Sequence, residues 1–128
     1  MRTPFAIANT ALGALFVVGA ILQWNDPDPL GWMLMYLAAA AASLAHGRVA
    51  WARPLAVASA GVAIAWGAWG ISQMPTWVPL SQMFEPMESM GGAVEMAREV
   101  WGLAIIAVWM LVLVWTGRNH VSVDGRDV

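Results

Sequence analysis

Apolar residues fall into four runs, at residues 4–23, 30–45, 55–74 and 100–116, each bounded by short polar or Pro/Gly-containing segments. Spanning a bilayer as helix takes about 20 residues. The first and third runs meet that length directly. The second and fourth reach it only when their polar starts are included, which draws Pro29 and Glu95 into the helices. The pattern therefore predicts helices over residues 4–23, 29–45, 55–74 and 95–116, with a polar tail at 117–128. No strand-like alternation competes with this reading, and lipid requires backbone groups to be satisfied within the segment or in a closed barrel. The first run starts after Arg2 and has small residues at Gly19 and Ala20. It continues apolar through Ile21 and Leu22 without a clear cleavage pattern, so it is expected to be a retained helix and not a signal peptide.

Composition supports a lipid solvent. Hydrophobic residues make up 60% of the 128-residue chain and charged residues 11%, too few charges to cover the surface of a small soluble domain. There is room for one domain, 1–128. The absence of cysteine removes disulfides, thiolate metal sites and cysteine nucleophiles. A net charge of -2 with scattered basic residues gives no nucleic-acid footprint. The expected fold class is thus all-α integral membrane, a four-transmembrane-helix bundle.

Charge also suggests an orientation. Arg2, Arg48, Arg53, Arg118 and Arg126 fall on one side of the four helices and only Arg98 on the other. By the positive-inside rule both termini are expected in the cytoplasm, in a multi-pass protein of a bacterial inner membrane. Asp26, Asp28, Glu85, Glu88, Glu95 and Glu99 then lie outside. Trp24, Trp32, Trp77 and Trp101 would form an outer aromatic belt, Trp51 and Trp115 an inner one. Ser59, Ala63 and Gly67, spaced by four, would permit close helix contact.

Two acidic motifs are candidates for chemistry. In Asn25-Asp26-Pro27-Asp28-Pro29, Pro29 suits the first helical position and Asp28 the N-cap. Asn25 and Asp26 suit a turn. A cap explains one carboxylate more readily than two. In Glu95-x-x-Arg98-Glu99 both acids share a helical face. Acids there complement the helix dipole, and Arg98 can pair with them. Glu99 lies about 6 Å deeper than Glu95, just before an apolar run, where an ionisable residue is expected to face the bundle interior. Trp32 and Tyr36, an i, i+4 pair, would wall the site, with the Tyr36 hydroxyl offered to Glu99. Asp26, Asp28, Glu95 and Glu99 form a candidate metal set. Hard oxygen ligands favour Ca²⁺ or Mg²⁺.

Other signals read as structural. Met83, Met87 and Met90 fit an interfacial segment with Trp77 and Phe84 better than a Cu(I) site. His46 and His120 make a poor metal pair. Asn9, about 24 Å along the helix from Asn25, is expected to bond a neighbouring helix.

On these residues the chain resembles the transmembrane protein 220 family. The resemblance rests on Asn25-Asp26-Pro27-Asp28 followed by Trp32 and Tyr36, and on Arg98-Glu99 with Gly102-Leu103 and Trp109. Asn9 and Trp66 match at suitable spacing, and the similarity spans residues 5–115. It implies a helical membrane architecture and marks Asn25, Asp26, Asp28, Trp32, Tyr36, Arg98 and Glu99 as motif residues, but implies no reaction. The leading expectation is a binding or accessory protein of unknown activity, contacting the bilayer and other membrane subunits or itself, with an acidic cluster that holds a cation or partner. The alternatives are a membrane enzyme acting on a lipid-borne substrate through a carboxylate or metal site, and an oligomeric transporter or proton relay.

Overall fold

The computed structural model describes residues 2–25, 28–74, 77–82 and 92–124. Four α-helices carry the chain: α1 (Arg2–Leu22), α2 (Pro29–Leu44), α3 (Ala52–Gln73) and α4 (Ala93–Asp124). Short 3-10 helices lie at Gln23–Asn25 and Leu80–Gln82, and no strand occurs among the described residues. Three of the four helices are long and apolar enough to cross a membrane. At 16 residues α2 is the short one, spanning about 24 Å against a hydrocarbon core of about 30 Å. Local thinning of the bilayer accommodates such a mismatch at modest cost.

Two boundaries differ from the sequence expectation for physical reasons. α3 starts at Ala52, because Pro54 falls in its first turn, where a missing N–H removes no intrahelical bond. α4 continues to Asp124 through most of the expected polar tail. Its Gly117 costs only about 1 kcal/mol in a helix, and no proline follows. Gly47, with φ of 75°, turns the chain between α2 and α3 in a conformation that favours glycine.

The helices alternate in direction. Gly19, late in α1, meets Tyr36 of α2, which in turn meets Gly102, early in α4. At the opposite end Phe5 of α1 stacks on Trp109 of α4 and touches His46, just past α2. The starts of α2 and α4 therefore share one end of the bundle, here called the motif end.

The core divides labour by size. Leu103, Ile106, Met110 and Leu113 of α4 are fully buried against small residues of the other helices. These include Ala39, Ala40 and Ala42 from α2 and Ala56, Ala60 and Ala63 from α3. Ser59, Ala63 and Gly67 are all buried, and Leu103 lies in van der Waals range of Gly67. Lipid offers no hydrophobic drive for helix association, so close packing on small residues supplies the attraction.

Asn9 is the buried polar joint. Its amide nitrogen donates to the Ser43 carbonyl at 2.6 Å, and its amide oxygen accepts from Trp109 Nε1 at 3.1 Å. One side chain thus ties α1 to α2 and α4, adding a second hydrogen bond to the Ser43 carbonyl, which also accepts from the His46 N–H at 3.3 Å.

Candidate functional site

At the motif end, α1 closes with the 3-10 helix Gln23–Asn25, and Asn25 is exposed. Asp26 lies outside the described residues. Asp28 occupies the N-cap of α2 with Pro29 following, as the sequence suggests, but its carboxylate makes no capping hydrogen bond. Its backbone explains this. With φ -129° and ψ 60°, it departs from the extended conformation that swings a capping oxygen over the first free N–H groups. The carboxylate is left exposed at the motif end.

Trp32, one turn below, is not part of an aromatic belt. It is 7% exposed and packs on Trp66 of α3 with ring centroids 4.3 Å apart. Trp24, Trp77, Trp51 and Trp115 are exposed near the ends of the apolar spans, consistent with belt positions. Packing against Trp66 across the α2–α3 contact takes Trp32 inward.

Tyr36 bridges three helices. Its ring lies against Gly19, where an added Cβ would come within 3.0 Å, and its hydroxyl lies 2.9 Å from the position a Cβ would take at Gly102. Both glycines are needed to let the phenol through. Gly102 is about 4.5 Å along the α4 axis from Glu99, so the hydroxyl sits about one turn beneath that carboxylate.

Glu95 and Glu99 are exposed and Arg98 is half-buried. Glu99 nevertheless belongs to the stripe that deeper in the bundle becomes the core face of α4. The residues at +4, +7 and +11 are Leu103, Ile106 and Met110, all buried. Glu99 was expected to face the bundle interior; the structure leaves it exposed. Tyr36, Arg98 and Glu99 are each engaged by a partner. Among the described residues no three acidic or imidazole side chains converge as metal ligands. Met83, Met87, Met90 and Phe84 fall outside the described residues. His46 packs at the opposite end, its Nε2 3.3 Å from Thr116 Oγ1. The side chain of His120 is not among those described.

One flank of the site is closed by the segment before α4. Val78 is fully buried with Ala93, Val94 and Ala97, and Trp77 packs near Trp101 at 6.0 Å between centroids. Sequence reasoning missed this flap and the role of the two glycines around Tyr36. A glycine three residues past a candidate carboxylate is a signal that could have drawn attention to a close approach.

No curated protein and no solved structure matches the chain significantly. The sequence pattern of the family described as "Transmembrane family 220, helix" matches residues 15–115, a stretch that includes both acidic motifs, the Tyr36 bridge and Trp109. The chain belongs to transmembrane family 220.

Proposed function

We propose that this protein is a binding or accessory membrane protein whose motif end takes up an organic ammonium group, from a lipid headgroup or from a basic side chain of a partner subunit. The motif end faces the outside of a bacterial inner membrane, with both termini in the cytoplasm, as the Arg distribution favours. The observation that carries the reading is Glu99: an exposed carboxylate on the core stripe of α4, at the mouth of the bundle above Tyr36. Asp28 and Glu95 add exposed carboxylates at the same end. A group with several N–H donors can satisfy acids from different helices at once, and charge-assisted hydrogen bonds are the strong ones.

Ca²⁺ or Mg²⁺ is the competing occupant, with Asp26, Asp28, Glu95 and Glu99 as its candidate ligands.

Thermal unfolding of the purified full chain in detergent tests the reading. A ligand that binds the folded state raises Tm by mass action. A short primary alkylammonium is expected to raise Tm, whereas its quaternary counterpart is not. Glu99→Gln should remove the effect. Parallel titrations with ethanolamine lipid and with a lysine-containing peptide separate the two sources. A rise in Tm with Ca²⁺ or Mg²⁺ and none with the ammonium would replace this reading with the metal one.

A further inference from the structure

α1 and α4 are not a closely packed pair, although both pack on α2. Between them runs an open groove of about 290 Å³, lined by Leu12, Trp101, Ala104, Ile105, Val108 and Trp109. All six are apolar or aromatic. Trp109 has its indole N–H committed to Asn9 and so offers the groove only its ring face and edge. Ile105 and Val108 are exposed, on a face that a bilayer would cover with acyl chains.

The groove has a polar upper end. Trp101, Ile105 and Val108 follow Arg98 at +3, +7 and +10, so Arg98 heads the same stripe of α4. Glu95 and Glu99 flank it within one turn. Among the described residues the Trp101 indole nitrogen has no hydrogen-bond partner and is sealed from the surface. One end of the groove thus carries a guanidinium for an anion beside carboxylates for a cation. A zwitterionic headgroup has that charge pattern.

We infer that the α1–α4 groove seats one acyl chain of an ethanolamine phospholipid, with its phosphate at Arg98 and its primary ammonium at Glu95 and Glu99. This deepens the ammonium reading above and rests on it, committing it to a lipid. An ethanolamine nitrogen donates hydrogen bonds to carboxylates, and a choline nitrogen has no N–H to donate. The headgroup preference should follow from that difference.

The test uses the full chain in nanodiscs containing equal amounts of ethanolamine and choline lipids with identical chains. Lipid retained after transfer to detergent is counted by native mass spectrometry. The expected result is retention of the ethanolamine lipid at about threefold excess, the size of one exposed charge pair. Arg98→Gln and Glu99→Gln should each reduce that preference. Ala104→Phe, which fills the groove at an exposed position, should reduce retention of both lipids while Tm without lipid stays unchanged. Equal retention of both headgroups overturns the proposal. So does undiminished retention in Ala104→Phe, or efficient disulfide formation between copies carrying Ala104→Cys, which would mean a second copy covers the groove. If the groove variant has no effect while soluble alkylammonium still raises Tm, the groove assignment falls and the ammonium reading stands. Loss of the alkylammonium effect in the unmodified chain removes both.

Discussion

Tyr36 sets how closely α2 approaches its two neighbours, because its ring and hydroxyl occupy the spaces left by Gly19 and Gly102. Gly102→Ala places a methyl group 2.9 Å from the hydroxyl oxygen, an overpacking expected to destabilise the bundle by about 1–3 kcal/mol. Tyr36→Phe removes that oxygen. The double variant should therefore recover part of the loss in a thermal-unfolding cycle, and strict additivity would show that the hydroxyl is not the obstacle. Asp28 gives a contrasting expectation. Since its carboxylate makes no capping bond, Asp28→Ala should cost no more than about 0.5 kcal/mol, below the typical loss for a cap. A drop in detergent stability of the full capping magnitude would mean that the carboxylate does reach the α2 N-terminus.

At the scale of elements, α4 is the organising helix and Asn9 the fastening between three of them. Asn9→Leu leaves the Trp109 N–H without its acceptor, while the Ser43 carbonyl keeps the His46 N–H, and is expected to cost about 1–3 kcal/mol. Trp109→Phe removes the indole donor. Combined with Asn9→Leu it should cost less than the two single changes added together, as for groups in one network. Additive losses would show that the indole finds another acceptor once Asn9 is gone. The same helices make the α3–α4 seam the best packed, with small residues on α3 receiving the larger side chains of α4. Hence Ala63→Leu, at a position 1% exposed, should be far more damaging than Ala68→Leu, which lies on the exposed side of α3.

For the whole molecule, the alternation of four helices puts the α1–α2 and α3–α4 connections at one end. Reporter fusions after Pro29 and after Gly92 are expected to read the same side of the membrane, and a fusion after Arg48 the other. Unlike signals at the first two sites would show that the short α2 does not cross. The Arg distribution further predicts that the shared side is extracytoplasmic. The acids then face outward at an end that carries Arg98 among the described residues.

Run lengths and the scarcity of charge were enough to establish a helical membrane protein, and the spacing of motif residues was enough to suggest its family. Those features are local or additive. A span must be predominantly apolar for lipid to accept it, and helix parity follows from counting spans. Sequence also singled out Asn9 as a polar residue in need of a partner. It could not say which partner, because Ser43 and Trp109 come from distant helices. The exposure of Glu99, the inward turn of Trp32, the idle cap at Asp28 and the groove between α1 and α4 were likewise decided in three dimensions. Each depends on local backbone geometry or on side chains from different helices that are brought together only on folding.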